Sequence, residues 1–260
     1  MSTLVIDMQS GIAGDMLLAG LLGLGGDVRT LEAALSKLGI GHVHVNVAGV
    51  KRNGLAANRV RIEVHDHGHE HHAPPRHHGN HHHFHSHGHT HTPYTHVRAL
   101  IAGAALPERV KRDALRVFAT LADAEGAVHG VPVERVQFHE VGAPDAIAEV
   151  VGCCLMLEEL GVTAVQATPL LLGRGRVLCE HGLIDVPVPA VAAMLEQTGA
   201  PSACVAHETG EITTPTGCAL VCALATAFIS QDGMPARVTG YGAGGREIAG
   251  LPRPLKVSLW

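Results

Sequence analysis

Apolar positions recur with two periods along the 260-residue chain. Residues 3–8 (TLVIDM) form a short apolar run ending in a glycine-containing loop, which predicts a buried strand. Residues 16–22 and 30–38 carry apolar side chains at helical spacing, and Gly39 closes the second segment. Residues 42–50 (HVHVNVAGV) and 59–64 (RVRIEV) alternate residue by residue. They predict paired strands joined by a turn over 49–54, with His42 and His44 on one outward face. Order resumes at 95–103, and Pro107 opens a long helix over 108–128 with Val110, Ala114, Val117, Phe118 and Leu121 on its apolar face. A buried helix over 147–160 ends at Gly161, and a strand over 162–168 follows. A helix over 190–197, a small-residue helix over 217–228 and an alternating segment over 255–260 complete the pattern. Strands interleaved with helices predict the α/β class, with a mixed sheet flanked by helices.

Between residues 65 and 91 both periods vanish. This stretch holds fourteen histidines: His65, His67, His69, His71, His72, His77, His78, His81, His82, His83, His85, His87, His89 and His91. Gly, Pro, Asn, Ser and Thr lie between them, and Phe84 is the one aromatic. Such a segment has too little apolar surface to offset the entropy of ordering. It predicts a disordered, metal-binding insertion over 65–95 that interrupts a single α/β domain made of 1–64 and 96–260. Imidazole suits nickel, zinc and copper, so the insertion is expected to hold several exchangeable ions without choosing among them.

Composition sharpens the rest. Hydrophobic residues make up 46% and aromatics only 3%, so the core must be built from Ala, Val and Leu. The net charge of -5 offers no footprint for nucleic acid. Protonating the 21 histidines would reverse that sign, and solubility is expected to change near pH ~6. No run reads as membrane-spanning, and no basic flank of a secretory signal precedes the first apolar residues, which points to the cytoplasm. Cys153, Cys154, Cys179, Cys204, Cys218 and Cys222 lack CxxC spacing and are expected to be buried free thiols, not a zinc site. The abrupt end of the last alternating segment resembles a domain edge beyond which more chain once continued.

Candidate chemistry gathers at four places. In FHEVGAPD, residues 138–145, an imidazole and a carboxylate are adjacent and a second carboxylate stands at a helix start. His139 and Glu140 can serve as metal ligands or as an acid/base pair, and Asp145 as a further catalytic group or simply a helix cap. His129, four residues after Glu125, is a second-tier ligand candidate. Ser10, Gly11, Gly14 and Asp15 form a loop and helix start suited to an anion, with Asp7 and Asp15 alternatively holding a divalent cation. Arg174 and Arg176, between glycines, suit phosphate, and Glu180 with His181 adds a second Glu/His pair. Thr214 and Thr216 flank Pro215 at the start of the small-residue helix, where they can bind an oxyanion or cap the helix.

Together these pieces resemble the LarC-type nickel-insertion family. The resemblance rests on DMQSGIAGDM at 7–16, the His-rich insertion, AEGAVHG at 124–130 and FHEVGAPDAI at 138–147. It continues through EHGLIDVPVPA at 180–190, ETGEITTPTGCAL at 208–220 and YGAGGRE at 241–247. It implies a cytoplasmic, lyase-class nickel chelatase that inserts Ni2+ into pyridinium-3,5-bisthiocarboxylic acid mononucleotide, using CTP with Mn2+ or Mg2+. Full-length members continue past this chain's last residue into a domain with which the CTP site is associated. A separate C-terminal subunit and a homo-oligomer are therefore the expected protein partners. The chain departs from the family at Gln9, where members usually carry an aromatic, and at Ala146, where they often carry Ser. Two other functions compete: a non-catalytic nickel store or delivery protein, and a metal-dependent phosphate-ester hydrolase using Asp7, Asp15 and His139.

Overall fold

The computed structural model describes residues 2–65, 91–230 and 236–260. His67 to His89 lie outside the described residues, whereas His65 and His91 lie inside them. The chain opens with β1 (Ser2–Asp7), α1 (Gly14–Gly23) and α2 (Val28–Leu35), the last capped by Asp27, which accepts from Arg29 and Thr30 N–H. β2 (His42–Arg52) and β3 (Leu55–His65) form a long hairpin. The expected turn over 49–54 shrinks to Asn53 and Gly54, at φ 48° and 79°, between the paired residues Arg52 and Leu55. An Asn-Gly pair accepts the left-handed backbone that a two-residue hairpin demands. The alternation therefore runs on to the hairpin tip. His65 sits in β3 opposite His42, so the strand extends to the residue where the insertion was expected to begin.

Order on the far side begins with β4 (Thr92–Pro93), then α3 (Tyr94–Gly103) and α4 (Glu108–His129). β5 (Gln137–Phe138), α5 (Pro144–Glu159), β6 (Val162–Ala167) and β7 (Leu170–Leu172) follow. β8 (Gly175–Cys179) and β9 (Gly182–Val186) make a second hairpin, leading into α6 (Pro189–Thr198) and β10 (Ser202–Cys204). α7 (Pro215–Leu224), β11 (Ala227–Phe228), β12 (Val238–Gly242) and β13 (Leu255–Leu259) complete the chain. The helix expected over 217–228 stops early. Ala225 turns extended, Thr226 N–H donates to Val165 O at 2.7 Å, and Phe228 joins a strand.

One mixed sheet has the order β11-β6-β1-β13-β12-β3-β2. It thus takes strands from both sides of the histidine run. β1 pairs parallel with β6 and antiparallel with β13. α1 lies on β3, β12 and β13, α5 packs beside α1, and α4 is surrounded by α3, α5, α6 and α7. The contact of α1 with β12 explains how a core so poor in aromatics closes. A Cβ at Gly242 would lie 1.8 Å from Met16 O, and one at Gly240 would lie 2.2 Å from Gly20 O. Helix and strand backbones touch directly there, which removes the gap that large side chains would otherwise fill. This approach fixes the start of α1 against the segment after β12, and that junction forms one wall of the functional site.

Candidate metal centre and adjoining cleft

Three elements bring histidines together. His129 is the last residue of α4, which stops at Gly130 in the left-handed conformation (φ 64°). His139 follows β5, and His181 occupies the two-residue turn between Cys179 and Gly182 of the β8–β9 hairpin. One ring nitrogen from each lies within 4.8 Å of the others. Three neutral imidazoles at that spacing can chelate one borderline divalent ion. A fourth ring is close: His91 stacks edge-on to His139 with centroids 4.4 Å apart. The short ladder explains this, because Thr92 pairs with Phe138 in antiparallel register and so places the preceding His91 opposite the following His139. Gly142 permits the tight loop that comes after, since a Cβ there would lie 2.7 Å from the Cβ atoms of both Phe138 and Thr92.

Carboxylates orient the rings. His139 Nδ1 is 3.1 Å from Glu180 Oε2, and His129 Nε2 is 3.3 Å from Glu125 Oε2. A carboxylate on one ring nitrogen fixes ring orientation and leaves the other nitrogen for a metal. Glu140 Oε1 accepts from Glu180 N–H at 3.3 Å, tying the loop after β5 to the hairpin turn that carries His181.

A cleft of about 270 Å³ lies at the starts of α1 and α7. Ala13, the N-cap of α1, and Thr214, the N-cap of α7, both line it. The two helix starts are bolted together by Thr214 N–H donating to Ile12 O at 3.0 Å. Ser10 and Asp15 also line the cleft, as do Arg52 and Asn53 from the β2–β3 tip and Arg246 and Arg253 from the loop between β12 and β13. Glu211 lines it as well, and burial pushes its carboxyl up to about 7, with the charge of Glu140 adding to the effect and Arg246 opposing it. The charge of Glu140, which is tied to the hairpin turn carrying His181, thus reaches Glu211 in the cleft. Beneath α1, burial pushes Glu149 up to about 8, with Asp15 and Asp145 adding to it. Burial also raises Asp15, against the Met16 hydrogen bond and Arg59.

Several expected roles are revised. Asp145 does not cap α5: Ala143 is the N-cap, and Asp145 accepts from its neighbour Ala146 N–H at 2.9 Å. Asp15 likewise sits inside α1 and accepts from Met16 N–H at 2.7 Å. Thr214, not Thr216, caps α7 by accepting from Gly217 N–H at 3.2 Å, while Thr216 is a buried partner of Thr214. Asp7 is buried and engages the Arg253 guanidinium, apart from the histidine cluster. Arg176 pairs with Asp185 at 3.0 Å, and exposed Arg174 braces Thr209 and Gly210 through its carbonyl. Arg98 lies over the Tyr94 ring at 5.8 Å. All six cysteines are free, but Cys204 is exposed and Cys179 and Cys222 are half-buried. The sequence reading missed Arg52, Arg253, Arg246 and Glu149 as site residues. Glu149 had a signal, being a lone acid in an apolar helical run.

The profile described as nickel insertion protein matches residues 4–259. The chain belongs to the nickel insertion protein family. Two family relatives are named pyridinium-3,5-bisthiocarboxylic acid mononucleotide nickel insertion protein. That of Nocardioides sp. is 42% identical over 99% of this chain and 59% of its own length. That of Akkermansia muciniphila is 39% identical over 100% of this chain and 60% of its own length. The chain thus spans about 60% of the length of these family relatives. No solved structure matches it. Among the described residues of this family member, no helix is long and apolar enough to cross a membrane.

Proposed function

We propose that the chain inserts nickel into a pyridinium bisthiocarboxylate mononucleotide, as a lyase-class enzyme of the cytoplasm. The observation that carries this reading is the three-histidine centre of His129, His139 and His181, in a chain that also holds a cleft edged by two helix starts. Nickel is the cargo here. Histidines of the 65–91 run gather it, and His91, next to His139, is the point at which the run meets the centre. Glu180 holds His139 with one ring nitrogen free, and Glu140 keeps the hairpin turn in place. The nucleotide lies in the cleft against Ser10 and Asp15 of the α1 start and Thr214 of the α7 start, with Gly11, Gly14 and Thr216 packed behind them. Helix starts favour anions through free N–H groups and the helix dipole. Asp145 and Asp7 act at one remove, Asp145 through its charge on Glu149 and Asp7 through Arg253.

CTP and its Mn2+ or Mg2+ belong, in this reading, to the part of the longer relatives that this chain does not span. A separate C-terminal portion, or a second copy of the chain, then completes the enzyme. The hydrolase alternative loses support from the pairing of Asp7 with Arg253, which removes Asp7 from a site shared with His139. A pure nickel store would need neither an ordered centre nor a cleft.

His139→Ala separates these readings. Insertion is measured as nickel retained in the nucleotide fraction after protein removal, with the C-terminal portion of a longer relative, CTP and Mn2+ supplied. The variant is expected to lose insertion while total nickel uptake, dominated by the histidine run, changes little. Insertion at the wild-type rate would contradict the assignment.

A further inference from the structure

We infer that Arg52 and Arg246 are a phosphate clamp that pins the phosphate end of the nucleotide in the cleft. The inference rests on the proposed nucleotide substrate and adds which residues hold which part of it. Arg52 comes from the tip of the β2–β3 hairpin and Arg246 from the loop after β12, and both line the cleft. Their protein partners are backbone carbonyls. Arg52 donates to Lys51 O at 3.1 Å and to Gly244 O at 3.5 Å, and Arg246 donates to Glu211 O. Among the described residues neither forms an ion pair with a carboxylate, whereas the third arginine of the cleft, Arg253, is paired with buried Asp7. A guanidinium held by neutral carbonyls keeps its full charge and spare N–H groups for an anion, and its planar fork suits a phosphate. Arg52 Nε–H is buried without a partner, so its donors are not exhausted by the protein.

The surroundings support the same polarity. The N-caps of α1 and α7, Ala13 and Thr214, share the cleft with the two arginines, and each helix runs ten residues. Their first-turn N–H groups add positive potential. The carboxylates Asp15, Glu211 and Glu247 also line the cleft and oppose an anion. Burial pushes Glu211 up to about 7, which reduces its opposition near neutral pH. A phosphate at the arginines fixes one end of the ligand in the cleft, between the two helix starts. The phosphate end supplies binding and register, and the ring end meets nickel.

Nicotinic acid mononucleotide, a pyridinium mononucleotide without sulfur, tests this when compared with its riboside, which lacks the phosphate. Binding to the intact chain is measured by titration calorimetry without nickel. Wild type is expected to prefer the mononucleotide by about tenfold or more, the increment of charge-assisted hydrogen bonds. Arg246→Ala and Arg52→Ala should each erase most of that preference while leaving riboside affinity unchanged, and Arg246→Lys should keep part of it. Equal binding of mononucleotide and riboside by wild type, or no binding of the mononucleotide at millimolar concentration, overturns the clamp. So does an equal loss for both ligands in the variants, which would mark the arginines as loop braces only. Failure of the insertion assay with the clamp intact would instead overturn the proposed function and leave this inference standing.

Discussion

Glu149 shows how a single residue records the chemistry of the site. It lies in the apolar helix α5, 2.5 Å from where a Cβ on Gly14 would stand, and burial pushes its carboxyl up to about 8 from the ordinary carboxyl value of 4.5. The folded state therefore holds a proton that the unfolded state releases at lower pH. Between pH 4.5 and 8 the unfolded chain binds fewer protons, so this group makes folding weaker as pH rises. The effect is on the order of a few kcal/mol. Glu149→Gln keeps the shape of the neutral acid and cannot ionise. Its melting temperature relative to wild type is expected to rise steadily from pH ~5.5 to pH ~8.5. Parallel curves for the two proteins would show that Glu149 is not held neutral. Every other titratable group is common to both proteins, so the difference isolates Glu149. The ligand histidines His139 and His181 were legible as Glu/His pairs in the sequence. His129 gained weight only once the fold closed the distance. Arg52 was hidden because the alternating pattern was read as a turn before it reached the hairpin tip.

At the scale of elements, short pieces carry the precision. The ladder between β4 and β5 is only two residue pairs long, yet it places His91 and His139 side by side. Gly142→Ala would push a Cβ into Phe138 and Thr92, both at 2.7 Å. Overpacking of this kind costs about 1–3 kcal/mol. The variant is expected to melt lower, by roughly 2–4 °C per kcal/mol in a protein of this size. It should also bind nickel less tightly at the three-histidine centre. Unchanged melting and nickel affinity would show that the loop does not need this close approach. The long elements, α4, α5 and the β2–β3 pair, were plain from periodicity because their apolar faces are continuous. Two-residue strands leave no periodic signal, and β11 was absorbed into a helix because its Ala227 and Phe228 continue an apolar run. Cap assignments failed for a related reason. Asp145 and Thr216 are good capping types, but Ala143 and Thr214 hold the cap positions, and Thr214 is fixed there by its backbone bond to Ile12.

For the whole molecule, the sheet unites the two sides of the histidine run, while α1 and α7 meet at the mouth of the cleft. The fold class followed from interleaved strands and helices. Strand order did not, because β13 inserts between β1 and β12 and no local pattern announces that. The histidine cluster is likewise a product of topology. α4, the β5–α5 loop and the β8–β9 turn each deliver one histidine to the same point. In the proposed function, placing nickel falls to this cluster and collecting it to the histidine run, a separation of roles.

The separation is tested most directly by equilibrium nickel binding, with stoichiometry. The two proteins compared are the intact chain and one in which residues 66–90 are replaced by a short Gly/Ser linker, with and without the bisthiocarboxylated nucleotide. The account predicts that the shortened chain loses most of its capacity but keeps about one tight site. That site should strengthen with the nucleotide and disappear in His139→Ala or His181→Ala. Loss of all tight binding on shortening, even with the nucleotide present, would contradict it and place nickel in the histidine run alone.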